Sequence, residues 1–201
     1  MRRQILVCCL VFTVFTLLCG VCYTFLVTAI ATAAFPRQAG GSLVIIGGRV
    51  VGSSLIAQEF SDPRHFHPRP SAVQYQPLPS GATNAGPTNR RLREAAAIRQ
   101  TMFLGENGLP QETSVPVEML TASGSGIDPH ISHTSAMLQC DRVARARGLD
   151  TLQLESLRSL IDRYTEYPWG TDLRRGYINV FRLNLALTEA RTDPSTNPES
   201  R

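Results

Sequence analysis

Between Arg3 and Arg37 the chain carries no charged residue, and residues 5–30, ILVCCLVFTVFTLLCGVCYTFLVTAI, are almost wholly apolar. A helix over that run would be about 39 Å long at about 1.5 Å per residue, against a hydrocarbon core of about 30 Å. The spacing predicts a single N-terminal transmembrane helix. The competing reading is a cleaved signal peptide, with Arg2 and Arg3 as its basic start and Ala31-Thr32-Ala33 as an A-x-A cleavage site. Apolar regions of signal peptides run about 7–15 residues, so the length favours a retained anchor. Residues 1–4 then form a short cytoplasmic N-terminus. Arg2, Arg3 and the free amino group outweigh Arg37 and Arg49 beyond the span, which by the positive-inside rule predicts an extracytoplasmic C-terminal domain.

Composition narrows what that domain can be. All 20 basic residues are arginine, and with 16 acidic residues the net charge is +4. The arginines are scattered along the chain, so no nucleic-acid partner is expected. Four cysteines, Cys8, Cys9, Cys19 and Cys22, lie inside the apolar run. Cys140 is left alone in the outer part and cannot form an internal disulfide there, so burial among apolar side chains is its expected fate and the domain must rely on its core.

Along residues 37–189 the patterning reads as a mixed α/β (α+β) domain. Residues 42–52 are two apolar runs joined by Gly47-Gly48, the signal of a tight hairpin. Residues 54–60 extend that sheet on the same reading. Residues 62–89 hold six prolines and form a long loop whose Phe66 and Tyr75 argue for docking on a surface. An amphipathic helix follows, capped by Asn89, with Leu92, Ala95, Ala96, Ile98, Met102 and Phe103 inward and its arginines on a solvated face. Val115 to Leu120 reads as a short strand. Two helices come next: 132–147, with Ala136, Met137, Cys140, Val143 and Ala144 on one stripe and Gly148 at its end, then one opened by the capping-box pattern Asp150-Thr-Leu-Gln153. Residues 177–187 start as a strand and turn helical at the end, and residues 190–201 are expected to be a disordered tail.

Ser123, Ser125, Asp128 and His130 contain every residue type of a serine-hydrolase triad within eight positions. Triad members come from separate loops so that they can converge, and the local string A-S-G-S-G lacks the G-x-S-x-G elbow. A strand-to-helix turn is the simpler account. His65-x-His67, His130-x-x-His133 and Cys140 offer metal-ligand types without a ligating frame. The Gly148 turn, flanked by Arg142, Arg145, Arg147, Arg158 and Arg163, matches a helix-turn-helix only in outline. No phosphate-binding loop or dinucleotide fingerprint is present.

Five blocks in fixed order give the chain a family resemblance. They are residues 26–30, 41–43 with 52–58, 60–64 with 69–72, 121–132 (TASGSGIDPHIS) with 139–149, and 179–187. Together they resemble the C subunits of the bacterial Kdp potassium-transporting ATPase, over nearly the whole chain. Departures from the family pattern fall at His65, at His133 where a proline is usual, near Cys140, and in a shortened loop at 80–89. The resemblance implies a non-catalytic subunit of an inner-membrane, ATP-driven potassium uptake complex with A, B and F subunits (KdpA, KdpB and KdpF) as partners besides the lipid bilayer. ATP and potassium would be handled by the complex, with the aspartyl-phosphate on the B subunit, and no cofactor is expected to bind this chain by itself. It also implies a catalytic chaperone that raises the ATP affinity of the B subunit. From outside the membrane such an effect would have to be a transmitted coupling free energy. No catalytic or metal residue is assigned. The structural or interaction candidates are Arg64, Arg69, Pro70, Ser71, Ser123, Gly124, Ser125, Gly126, Asp128, Pro129 and His130. The competing classes are a membrane-anchored periplasmic binding module and a Ser/His hydrolase.

Overall fold

The computed structural model describes residues 1–168 and 176–192, and the chain divides into two units, Met1–Ser53 and Ser54–Arg201. In the first, the apolar run forms a continuous helix over Arg2–Ala34, long and apolar enough to cross a membrane. It comprises α1 (Arg2–Phe15), a wider π-helical stretch (Thr16–Tyr23) and α2 (Thr24–Ala34). Thr24, Thr28 and Thr32 turn their hydroxyls back onto the carbonyls of Cys19, Thr24 and Thr28. Each hydroxyl thereby satisfies its hydrogen bond within the helix, as an apolar surrounding demands.

After the short helix α3 (Pro36–Ala39), strands β1 (Leu43–Ile46) and β2 (Arg49–Ser53) form the expected antiparallel hairpin. Gly47 and Gly48 both have positive φ, 56° and 79°, the backbone a two-residue hairpin turn needs and a side chain resists. Residues 54–60 do not extend this sheet. Their polar groups are taken elsewhere: Ser54 O accepts from Asn179 Nδ2 at 2.7 Å, and Ala57 N–H donates to Ile127 O at 2.8 Å.

The second unit is a mixed helix and sheet domain. Helix α4 (Arg90–Asn107) starts where Asn89 accepts the Arg91 N–H. Its buried residues are Phe103, Leu104 and Asn107, whereas Ile98 and Met102, expected inward, are exposed at 61% and 56%. Leu92, Ala95 and Ala96 are half-buried, and full burial is confined to the C-terminal end of the helix. The run read as a strand at 115–120 is instead the single helical turn α5 (Val117–Leu120), opened by Pro116 and closed by the Thr121 N–H on Val117 O. Strand β3 (His130–Ser132) leads into α6 (His133–Arg147), capped by Ser132, and α7 (Thr151–Arg163) carries the full capping box of Asp150 and Gln153. Gly148, at φ 66°, closes α6 in the left-handed conformation. The sheet order is β3–β5–β4, all antiparallel, with β4 (Thr165–Glu166) and β5 (Tyr177–Asn179). The strand expected at 177–187 lasts only three residues before α8 (Val180–Thr192) begins, so residues 190–192 are helical. The rest of the expected tail, 193–201, lies outside the described residues.

The core gathers Phe66, Leu104, Ile131, Cys140, Val143, Ile161, Ile178 and Leu183. Each large member contributes about 1.5–3 kcal/mol by leaving water. Cys140 is buried as expected, and burial, aided by Asp141, pushes its thiol up to about 11. Arg142 on α6 is buried rather than solvated. It is 5% exposed and ties four places together, donating to Pro63 O, His65 O, Asn107 Oδ1 and Gln139 Oε1 at 2.6–3.0 Å.

Candidate functional site

The 121–132 block lies against the proline-rich loop, and short polar residues sew the two together. Ser123 is buried, and its Oγ accepts the Gly126 N–H at 2.8 Å, closing a tight turn. Gly126 takes φ +73° and its carbonyl accepts Ser71 Oγ at 2.6 Å. Ser71 Oγ in turn receives the N–H groups of Val73 and Tyr75, and Gly81 N–H reaches Ser125 O. Tyr75 Oη donates to Arg69 O at 3.0 Å, and burial, reinforced by the charge of Glu59, pushes that phenol up to about 12. Sequence reading marked Tyr75 as a docking aromatic without naming its partner; a tyrosine among prolines was the signal.

Asp128 is the charged centre. Its Oδ1 accepts the His130 N–H and faces His130 Nδ1, both at 3.1 Å, and its Oδ2 accepts Arg69 Nη1 at 3.0 Å. Burial pushes the carboxyl up, but hydrogen bonds from His130 and Arg69 outweigh it and hold Asp128 below the usual carboxylate range. Pro129 is buried behind it, its carbonyl accepting the Val180 N–H at 2.9 Å. His130 meets Tyr177 edge-on, with ring centroids 5.1 Å apart.

The structure thus brings Arg69, Ser71, Ser123, Ser125, Gly126, Asp128, Pro129 and His130 together, with Pro70 half-buried between two of them and Gly124 on the exposed rim. Arg64 stands apart, paired with Asp62 and bonded through its carbonyl to Arg147 Nε. A cleft of about 530 Å³ opens over Leu55, Arg69, Gly124, Ser125, Asp128 and His130. A second, of about 460 Å³, shares Leu55, Asp128 and His130 and adds Glu166, Tyr177, Asn179 and Arg182, none of which sequence reading had marked as a site candidate. These four come from β4, β5 and α8, and no local motif connects them to the 121–132 block.

Chemically, the cluster is a braced turn with balanced charge. Among the described residues neither serine hydroxyl bonds the imidazole: Ser123 serves Gly126 and Ser125 serves Ile127, while His130 faces Asp128. The other imidazoles have separate neighbours, and His65 meets the Phe60 ring with centroids 5.6 Å apart. His133 Nε2 lies 2.8 Å from Asp162 Oδ1, and His67 Nε2 lies 3.2 Å from Asp62 O. No group of three metal-ligating side chains converges among the described residues.

A second braced point supports the turn from behind. Glu118 Oε1 accepts Ser132 Oγ at 2.5 Å and Ser135 Oγ at 2.6 Å, fixing α5 to the start of α6. Burial raises that carboxyl and the two hydroxyls lower it, the net direction being down.

A family model described as "KdpC: K+-transporting ATPase, c chain" matches residues 5–189. The chain is 43% identical over 189 residues to the potassium-transporting ATPase KdpC subunit of Mycobacterium tuberculosis (strain H37Rv), covering 93% of this chain and 98% of the relative. It is 46% identical over 180 residues to that of Polaromonas naphthalenivorans, covering 88% and 89%, and 44% identical over 191 residues to that of Rhodospirillum rubrum, covering 94% and 97%. Span, hairpin and braced turn all fall inside the matched region, and the chain belongs to the KdpC family of potassium-transporting ATPase c chains.

Proposed function

We propose that the chain is a non-catalytic, single-span subunit of a high-affinity, ATP-driven potassium uptake complex. The observation that carries this reading is the extent of the family match, residues 5–189, which takes in the membrane helix and the folded domain together. The proposed partners are the A, B and F subunits and the surrounding lipid. In this arrangement the N-terminus is cytoplasmic and the second unit faces the other side, where it caps the A subunit near its ion entrance and stabilises the assembled complex. The 62–89 loop and the 121–132 turn are the proposed docking surfaces. Their charges are paired in place and their backbone is braced, so docking costs little ordering entropy. ATP hydrolysis belongs to the B subunit. Any rise in its ATP affinity is then a coupling free energy carried through the membrane subunits, not a contact with nucleotide.

The test is purification of the full-length chain from mild detergent with its neighbours. A larger subunit with potassium-stimulated ATPase activity should come with it; recovery alone and monodisperse would overturn the proposal. Deleting residues 37–201 while keeping the anchor should abolish uptake, and full potassium uptake by the truncated complex would remove the capping role.

A further inference from the structure

The β1–β2 hairpin leaves apolar side chains exposed on both of its faces. Leu43, Ile45, Ile46, Val50 and Val51 are 39–63% exposed. Ile45 pairs with Val50, and Ile46 pairs with Arg49 on the opposite face. We propose that this hairpin lies in the boundary between lipid headgroups and acyl chains, an interfacial anchor beside the span with lipid around both faces. The inference rests on the reading of Arg2–Ala34 as a membrane span.

Three observations on the first unit select lipid as the occupant. The first is attachment: Ser42 N–H donates to Arg37 O at 2.9 Å and Ser53 Oγ to Gly41 O at 2.7 Å, which fixes the base of the ribbon to the turn that ends the apolar helix. The second is charge. Residues 1–58 contain no Asp or Glu, and beyond the span the charges are Arg37 and Arg49, both exposed, on guanidinium forks that suit lipid phosphates. The third is two-sidedness. A protein surface laid on one face would leave the apolar side chains of the other in water, whereas an interface wraps both. The guanidinium groups of Arg37 and Arg49, held at the level of lipid phosphates, set the depth.

The test uses the full-length chain in vesicles of phosphatidylcholine and phosphatidylglycerol. Trp169 is the one tryptophan of the sequence, so Trp169→Phe gives a dark background for single probes at Ile45→Trp and, separately, Val50→Trp. Leu17→Trp reports the span, and Leu152→Trp, at a residue 79% exposed, reports the aqueous domain. The two hairpin probes should be blue-shifted and lose about half their emission to lipid brominated near the carboxyl end of its chains, and less to lipid brominated near the methyl end, as shallow burial requires. Hairpin probes that emit like Leu152→Trp while Leu17→Trp is quenched would overturn the proposal and leave the span intact. So would a blue shift that appears only when the partner subunits are added. An unquenched Leu17→Trp would overturn the span reading and this inference with it.

Discussion

Gly126 shows how much of the braced turn rests on a missing side chain. At φ +73° a Cβ there would sit 2.6 Å from Val73 Cγ2 and 2.7 Å from Gly81 O, so both the backbone conformation and the close approach require glycine. Gly126→Ala is expected to cost about 2–4 kcal/mol, read as a lowered denaturant midpoint of the full-length chain in mild detergent. Gly124→Ala, with open space around it, should stay within about 0.5 kcal/mol. An unmoved midpoint for Gly126→Ala would mean the two loops do not approach this closely. The sequence marked both glycines alike, because a Gly-Ser string states flexibility and not which glycine has a neighbour overhead. Arg142 was illegible for the converse reason. Its position on α6 looks solvated until Pro63 and His65, far earlier in the chain, turn their carbonyls toward it.

At the scale of elements, residues 62–67 form a pH-sensitive strap. Burial, with the charge of Arg147 near His65 and of Arg142 near His67, lowers both imidazoles below the ordinary value, against smaller raising effects of Asp62 and Glu106. The folded chain therefore prefers both rings neutral. Their contribution is complete above the unfolded value of about 6.5 and is lost as pH falls through the lower folded values, because the unfolded chain takes up protons first. Asp128 and Glu118 are held below the usual carboxylate range and stay ionised across that window. Protection factors of the amides at 62–67, which take out the intrinsic slowing of exchange at lower pH, should fall between about pH 6.5 and pH 5, and His67→Gln should flatten the response. Protection factors that stay level across this range would refute it. Elements with local signals were legible: the Gly47-Gly48 turn, the Asn89 and Asp150 caps, and the Gly148 stop. Those decided by distant partners were not. Residues 54–60 look like a strand but surrender their backbone groups to Asn179 and Ile127, and the apolar run at 115–120 winds into a turn because Pro116 starts it and Glu118 is needed by Ser132.

The sequence is asymmetric in charge about its apolar helix, and by the positive-inside rule that asymmetry predicts an orientation that can be measured. Fusion of alkaline phosphatase after the last residue should give active enzyme, since it matures only outside the cytoplasm, while a green fluorescent protein fused at the same place and exported in the same way should stay dark. The reverse pattern would put the domain on the nucleotide side and reopen direct contact with ATP. Asn184 on α8 brackets Phe66, accepting its N–H at 2.8 Å and donating to its carbonyl at 2.9 Å, and Asn179 Nδ2 donates to Ser54 O at 2.7 Å. A ribosome delivers these partners 118 and 125 residues apart. Phe66 is destined for full burial, and its own backbone waits for Asn184, long after Gln139 and Arg142 have supplied partners to His67 and His65. Completion of the domain thus waits on residues 179–184, and any chain that stops short of Asn179 presents an open core to the quality-control machinery of its compartment.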